Sequence, residues 1–128
     1  MYLAMSTSYK NIMDKNYIVK MLREICKSYS DIFGRVILFG SYSRNEQSET
    51  SDIDLYIESK YENMTTYKLG TNKRFREFKY QLNDTFSNQI DLLAYGGKRD
   101  IKNVKKSPLW KQIEMDGIII YDQGAKTI

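Results

Sequence analysis

Two short strand-like runs lie close together in this chain, and their separation constrains the fold more than any other feature. Val36-Ile37-Leu38-Phe39 is apolar and partly β-branched, the pattern of a buried strand. Asp52 to Glu58 alternates instead. Ile53, Leu55 and Ile57 fall on one side and Asp52, Asp54 and Tyr56 on the other, which predicts a strand with one core face. Only Ser41 to Ser51 separates the two runs. A parallel crossover takes about a dozen residues or more, usually a helix. The pair therefore belongs to a mixed sheet rather than a doubly wound one.

The rest of the chain supplies helices to cover that sheet. Ile18, Met21, Leu22, Ile25 and Tyr29 share one helical face, predicting a helix from about Asn11 to Ser30. Phe75, Phe78, Leu82 and Phe86 make a second such stripe within Lys73 to Phe86. Ser43 followed by Glu46 has the form of a capping box and predicts a short helix there. Ile90 to Tyr95 reads as a strand ended by Gly96-Gly97. Ser107-Pro108 opens a helix that Gly117 closes, and Ile118 to Tyr121 is a last short strand. Tyr61 to Asn72 carries no clear pattern. The predicted order is α, β, short α, β, α, β, α, β: an α/β domain with a small mixed β-sheet flanked by helices. One domain is expected over residues 1–128, with its core at about 11–121 and a flexible tail over 122–128.

Composition removes whole classes of chemistry. There are no histidines, so no His general base, Ser–His triad or His-ligated zinc is available. A single cysteine, Cys26, excludes an internal disulfide and a thiolate cage, and it sits on an apolar stripe as core filler. Any metal must be held by oxygen, which points to Mg²⁺ or Mn²⁺. The net charge of +4 is concentrated in two segments, Lys68 to Lys79 and Lys98 to Lys106. No aromatic stripe is interleaved with them, so two solvated surfaces are favoured over a nucleic-acid interface. No apolar run is long enough to span a bilayer, and Met1 to Lys20 lacks the layout of a secretion signal, so a cytoplasmic protein is expected.

Asp52 and Asp54 are the most informative residues. Two places apart on a strand, they present both carboxylates to one face, with Cα atoms roughly 6.5–7 Å apart. Such like charges repel unless a cation lies between them, and paired carboxylates on a rigid strand suit a two-metal site. Just upstream, Gly40 allows a close backbone approach to a ligand. Ser41 and the following turn offer an anion site, and Arg44 can reach a phosphate. Asp91 is an acid within an apolar strand. It is a bend or edge position, or, if its strand neighbours that of Asp54, a third carboxylate for a metal shell or a proton acceptor.

These motifs together resemble the signature of the minimal nucleotidyltransferases, a family within the DNA polymerase β-like superfamily. Leu38-Phe39-Gly40-Ser41 and Arg44 are followed, after a spacer over 42–51, by Asp52-Ile53-Asp54-Leu55, and Ile90-Asp91-Leu92-Leu93 matches the third-acid strand. Asp116-Gly117 and Ile118 to Tyr121 resemble the family's closing strand. Asn45 departs from the small residue that usually follows the arginine.

The resemblance implies the polymerase β-like fold and transfer of a nucleoside monophosphate, AMP from ATP, to a hydroxyl. Asp52, Asp54 and Asp91 would hold two Mg²⁺ or Mn²⁺ ions, with Gly40, Ser41 and Arg44 on the nucleotide phosphates. The implied partner is a HEPN-type ribonuclease toxin, modified on a tyrosine by this chain as antitoxin. A small-molecule acceptor, as in the aminoglycoside nucleotidyltransferases, and neutralisation of a partner by binding alone are the alternatives.

Overall fold

The structure, a computed structural model, describes residues 14–48, 50–87 and 89–123. The elements are α1 (Lys15–Lys27), β1 (Phe33–Phe39), β2 (Ile53–Ser59), α2 (Thr66–Thr71), α3 (Lys73–Phe86), β3 (Ile90–Tyr95), α4 (Lys98–Val104), α5 (Pro108–Asp116) and β4 (Ile118–Asp122). The strands form one sheet in the order β3-β2-β1-β4. β1 is antiparallel to β2 and β4, while β2 and β3 run parallel. The mixed sheet follows from the connections. The short β1–β2 link reverses the chain, and the longer β2–β3 link has room for two helices.

One face of the sheet is covered by α1 and α3. Val36 and Leu38 of β1 and Ile53, Leu55 and Ile57 of β2 meet Ile18, Leu22 and Ile25 of α1 and the Phe75, Phe78, Leu82, Phe86 stripe of α3. Aromatic edges set the contact: the Phe33 and Phe78 rings lie 4.6 Å apart in a T-shaped arrangement. Helix α1 is capped by Asp14, whose carboxylate accepts from the Tyr17 N–H at 3.2 Å. Its expected first residues, 11–13, lie outside the described ones, as does most of the segment weighed for a secretion signal.

The second face is also packed, which corrects the expectation of a single core face for β2. Ile37, Phe39 and Tyr56 bury against Val104 of α4 and Ile113 of α5, with Trp110 beside them. Tyr56 is fully buried, and its hydroxyl donates to Glu58 at 2.7 Å. The alternating pattern misleads here because tyrosine reads as polar while its ring fills a core.

Three further differences concern short elements. Among the described residues no helix forms between β1 and β2. α2 and α4 form in segments whose sequence shows no clear pattern. β4 extends to Asp122, and the Gln123 N–H donates to the Gly34 carbonyl at 2.8 Å. The remainder of the expected tail, from residue 124, lies outside the described residues. No helix among the described residues is long and apolar enough to cross a membrane.

Candidate active site

The C-terminal end of β1 and the N-terminal ends of β2 and β3 meet at one end of the sheet. There Phe39 pairs with Asp54, and Asp54 with Asp91. The register that the hydrophobic pattern of β2 enforces thus sets the two carboxylates side by side on adjacent strands. Asp52, one residue before β2, is exposed, as is Asp91, which lies on β3 at the edge of the sheet. Asp91 is therefore both an edge residue and a neighbour of Asp54.

Asp54 is half-buried, and its carboxyl is pushed up to about 6. Burial is the largest cause, followed by the charges of Asp91 and Asp52; Arg44 acts in the opposite direction. Gly40 lies directly against this carboxyl. Its φ of 79° is in the left-handed region, and a Cβ there would collide with Oδ2 of Asp54. Glycine at position 40 thus makes room for the carboxylate.

The loop after Gly40 corrects the expected helix. The Ser43 and Arg44 N–H groups both donate to the Gly40 carbonyl, at 3.1 and 3.3 Å, and the Glu46 N–H donates to Ser41 O at 2.9 Å. The Ser43 hydroxyl donates back to Gly40 O at 2.7 Å, and among the described residues no N–H donates to it as to an N-cap. Asn45, at φ 59°, turns the chain out of the helical path. The anion site expected at a helix N-terminus is absent in that form. What remains is a tight loop carrying Ser41, whose hydroxyl has no hydrogen-bond partner among the described residues.

Arg44 is held from two sides. Its Nε lies 2.9 Å from Glu46 Oε1, and a terminal nitrogen lies 3.6 Å from Asp116 Oδ2 at the end of α5. Both contacts raise the guanidinium's already high pKa, the Glu46 hydrogen bond most. Sequence reasoning assigned Glu46 to a cap and Asp116 to a strand approach. Neither was connected to Arg44, because nothing local to α5 signals the loop it faces.

Among the described residues no three carboxylates converge closely enough to enclose a metal ion as they stand. Their chemistry nevertheless fits a divalent cation. All are hard oxygen donors, and the carboxyl of Asp54 is already driven towards protonation by burial and by its two acidic neighbours, a conflict that a cation relieves. A cavity of 460 Å³, lined by Thr66, Tyr95, Asp100 and Val104 among others, lies at the opposite end of β3 and takes no part in this site.

The polymerase β nucleotidyltransferase family model matches residues 20–126. The chain belongs to this family and is a nucleotidyltransferase. Among its relatives, a Methanocaldococcus jannaschii protein named "Putative protein adenylyltransferase" is 32% identical over 111 residues, covering 87% of this chain and 93% of the relative. A second protein of that name and organism is 37% identical over 95 residues, 73% of this chain and 85% of the relative. A third is 38% identical over 64 residues, 48% of this chain and 58% of the relative. A toxin–antitoxin crystal structure with AMP-PNP superposes with a TM-score of 0.53 at 20% identity, over 89% of this chain and 77% of that one. A mutant of the toxin–antitoxin pair MntA-HpeT gives 0.55 at 20% identity, over the same shares. At such identities these structures establish a shared polymerase β-like fold.

Proposed function

We propose that this chain, acting as one nucleotidyltransferase domain in the cytoplasm, transfers AMP from ATP to a tyrosine hydroxyl of a HEPN-type ribonuclease toxin and is that toxin's antitoxin. The observation that carries the reading is Asp54, held over Gly40 and in register with Asp91 at the mouth of a glycine–serine loop. The names of the curated relatives support a protein as acceptor, and the toxin–antitoxin neighbours support a toxin as that protein.

Asp52, Asp54 and Asp91 would hold two Mg²⁺ or Mn²⁺ ions, which when bound neutralise the triphosphate and make the attacking hydroxyl more acidic. The Gly40–Ser41 backbone and the Ser41 hydroxyl bind the β- and γ-phosphates. Arg44, oriented by Glu46 and Asp116, adds a charge-assisted contact to the same phosphates. Asp91, exposed on the edge strand, is the carboxylate an acceptor hydroxyl meets as it enters. Much of the rate acceleration comes from positioning and electrostatics on rigid strand ends.

The test uses ATP labelled on its α-phosphate, Mg²⁺ and a lysate of the source cells, with the wild-type chain and Asp54→Ala compared. Label on one small helical protein, lost with Asp54→Ala, is expected. Label on RNA or a small molecule would overturn the acceptor, and equal labelling by Asp54→Ala would overturn the site.

A further inference from the structure

The far end of β2 carries a second concavity with the opposite charge. Ser59 and Lys60 at the strand's exit and the exposed side of α4 line a cavity of 390 Å³. Lys60, Lys98, Lys102 and Lys105 surround it. Lys105 is committed, 3.6 Å from Glu58 Oε2 and stacked 5.4 Å from the Trp110 ring centre. Among the described residues Lys60, Lys98 and Lys102 make no ion pair; Lys60 lies over the Tyr61 ring, at 5.7 Å, and its charge acts on Asp31 from beyond contact distance. Three ammonium groups with no carboxylate in contact crowd one hollow, and their mutual repulsion falls when an anion enters. The carboxylates nearby are Glu58, already bound by Lys105 and Tyr56, Asp31, already paired with Arg74, and Glu62 on the rim.

The lining is not only charged. Ile101 contributes apolar surface, and Tyr61 stands 44% exposed beside it. A hollow with apolar lining and a cationic rim suits a peptide that places an apolar side chain between carboxylates. A nucleic-acid track would instead call for a longer run of cations and several stacking aromatics. We infer that this hollow is a docking site for an acidic, apolar-centred segment of the protein acceptor. The inference rests on the proposed protein acceptor. Ser59 lies five positions along β2 from Asp54, a span of about 17 Å. One partner can therefore reach both ends within an ordinary interface. The acceptor's body is held at the lysines while its hydroxyl is presented at Asp54.

The binding experiment does not depend on the transfer reaction. A fluorescent peptide of alternating Asp and Leu is titrated with the full chain at low salt and read by anisotropy. Wild type is compared with Lys98→Glu/Lys102→Glu, both exposed positions, and folding is verified by circular dichroism. The double variant is expected to bind at least about tenfold more weakly, and raised NaCl to weaken the wild type similarly. Oligouridylate of equal charge is expected to compete poorly. Unchanged affinity in the double variant, or tighter binding of the RNA, would overturn the inference. In a parallel labelling assay with α-labelled ATP, loss of all protein labelling by wild type would strike the proposed function and leave the peptide result to stand on its own.

Discussion

Asp54 is the residue at which folding and chemistry conflict. Its carboxyl, raised to about 6 chiefly by burial and then by Asp91 and Asp52, favours the protonated form in the fold. The contribution of this group is therefore fully favourable below its ordinary value near 4 and is lost as pH rises through about 6. Asp54→Asn is expected to stabilise the metal-free chain at pH 7.5. The two-unit shift corresponds to roughly 3 kcal/mol before screening, and the half-exposed position reduces that to about 1 kcal/mol. A melting temperature higher by about 3–6 °C at pH 7.5, with no difference near pH 4, is the expected result in calorimetry. A variant less stable at both pH values would show that the carboxylate is not under strain. Gly40→Ala tests the same contact from beneath. The left-handed φ and the collision with Oδ2 are expected to cost about 1–3 kcal/mol and to abolish transfer, whereas Asn45→Gly, at another left-handed position, should be tolerated.

At the scale of elements, the legible parts were those with long-range pattern. The α3 stripe, β3 over Ile90–Tyr95 and the Pro108 start of α5 stand where their residues indicate. Leu82 is fully buried in that stripe, and Leu82→Ala is expected to cost about 2–5 kcal/mol in denaturant unfolding, with little effect on the Asp54 end. The elements that escaped are α2 and α4, of 6 and 7 residues, too short to show a helical period. Both are fixed by contacts remote in sequence. Thr66 of α2 donates to Asp100 of α4 at 2.6 Å and accepts the Gly96 N–H at 3.1 Å. The false helix after β1 arose the opposite way. Ser43 and Glu46 satisfied a local pattern, but Arg44 took the Glu46 carboxylate and Asn45 left the helical region. The end of α5 then completes that loop. Asp116→Asn is expected to raise the KM for ATP about three- to tenfold with little change in kcat, because Arg44 loses one of the two groups that orient it. Asp116→Glu should restore the value, and an unchanged KM would remove Asp116 from the site.

Across the whole molecule, the two ends of β2 are electrically opposed. Asp52 and Asp91 flank Asp54 at one end, beside Arg44 with its Glu46 and Asp116, while Lys60, Lys98, Lys102 and Lys105 gather at the other. The net charge of +4 conceals this separation, because it adds charges that never meet. The sequence placed Asp52 and Asp54 together and allowed Asp91 to join them; the parallel pairing of β2 with β3 puts Asp91 beside Asp54. Which lysines share a hollow depended on where the chain leaves β2 and on α4, and neither is a local property. The polarity predicts different responses to two salts. Divalent cations should bind at the acidic end and stabilise the folded chain, by about 2.7 kcal/mol at a concentration near 100 times the dissociation constant. Asp54→Asn should lose most of that gain while Lys98→Glu/Lys102→Glu keeps it. NaCl at the same ionic strength should give no comparable rise in melting temperature, since it screens both ends alike. An equal rise with NaCl and MgCl₂, or one that survives Asp54→Asn, would mean that the carboxylates at this end of β2 are not where the divalent ion binds.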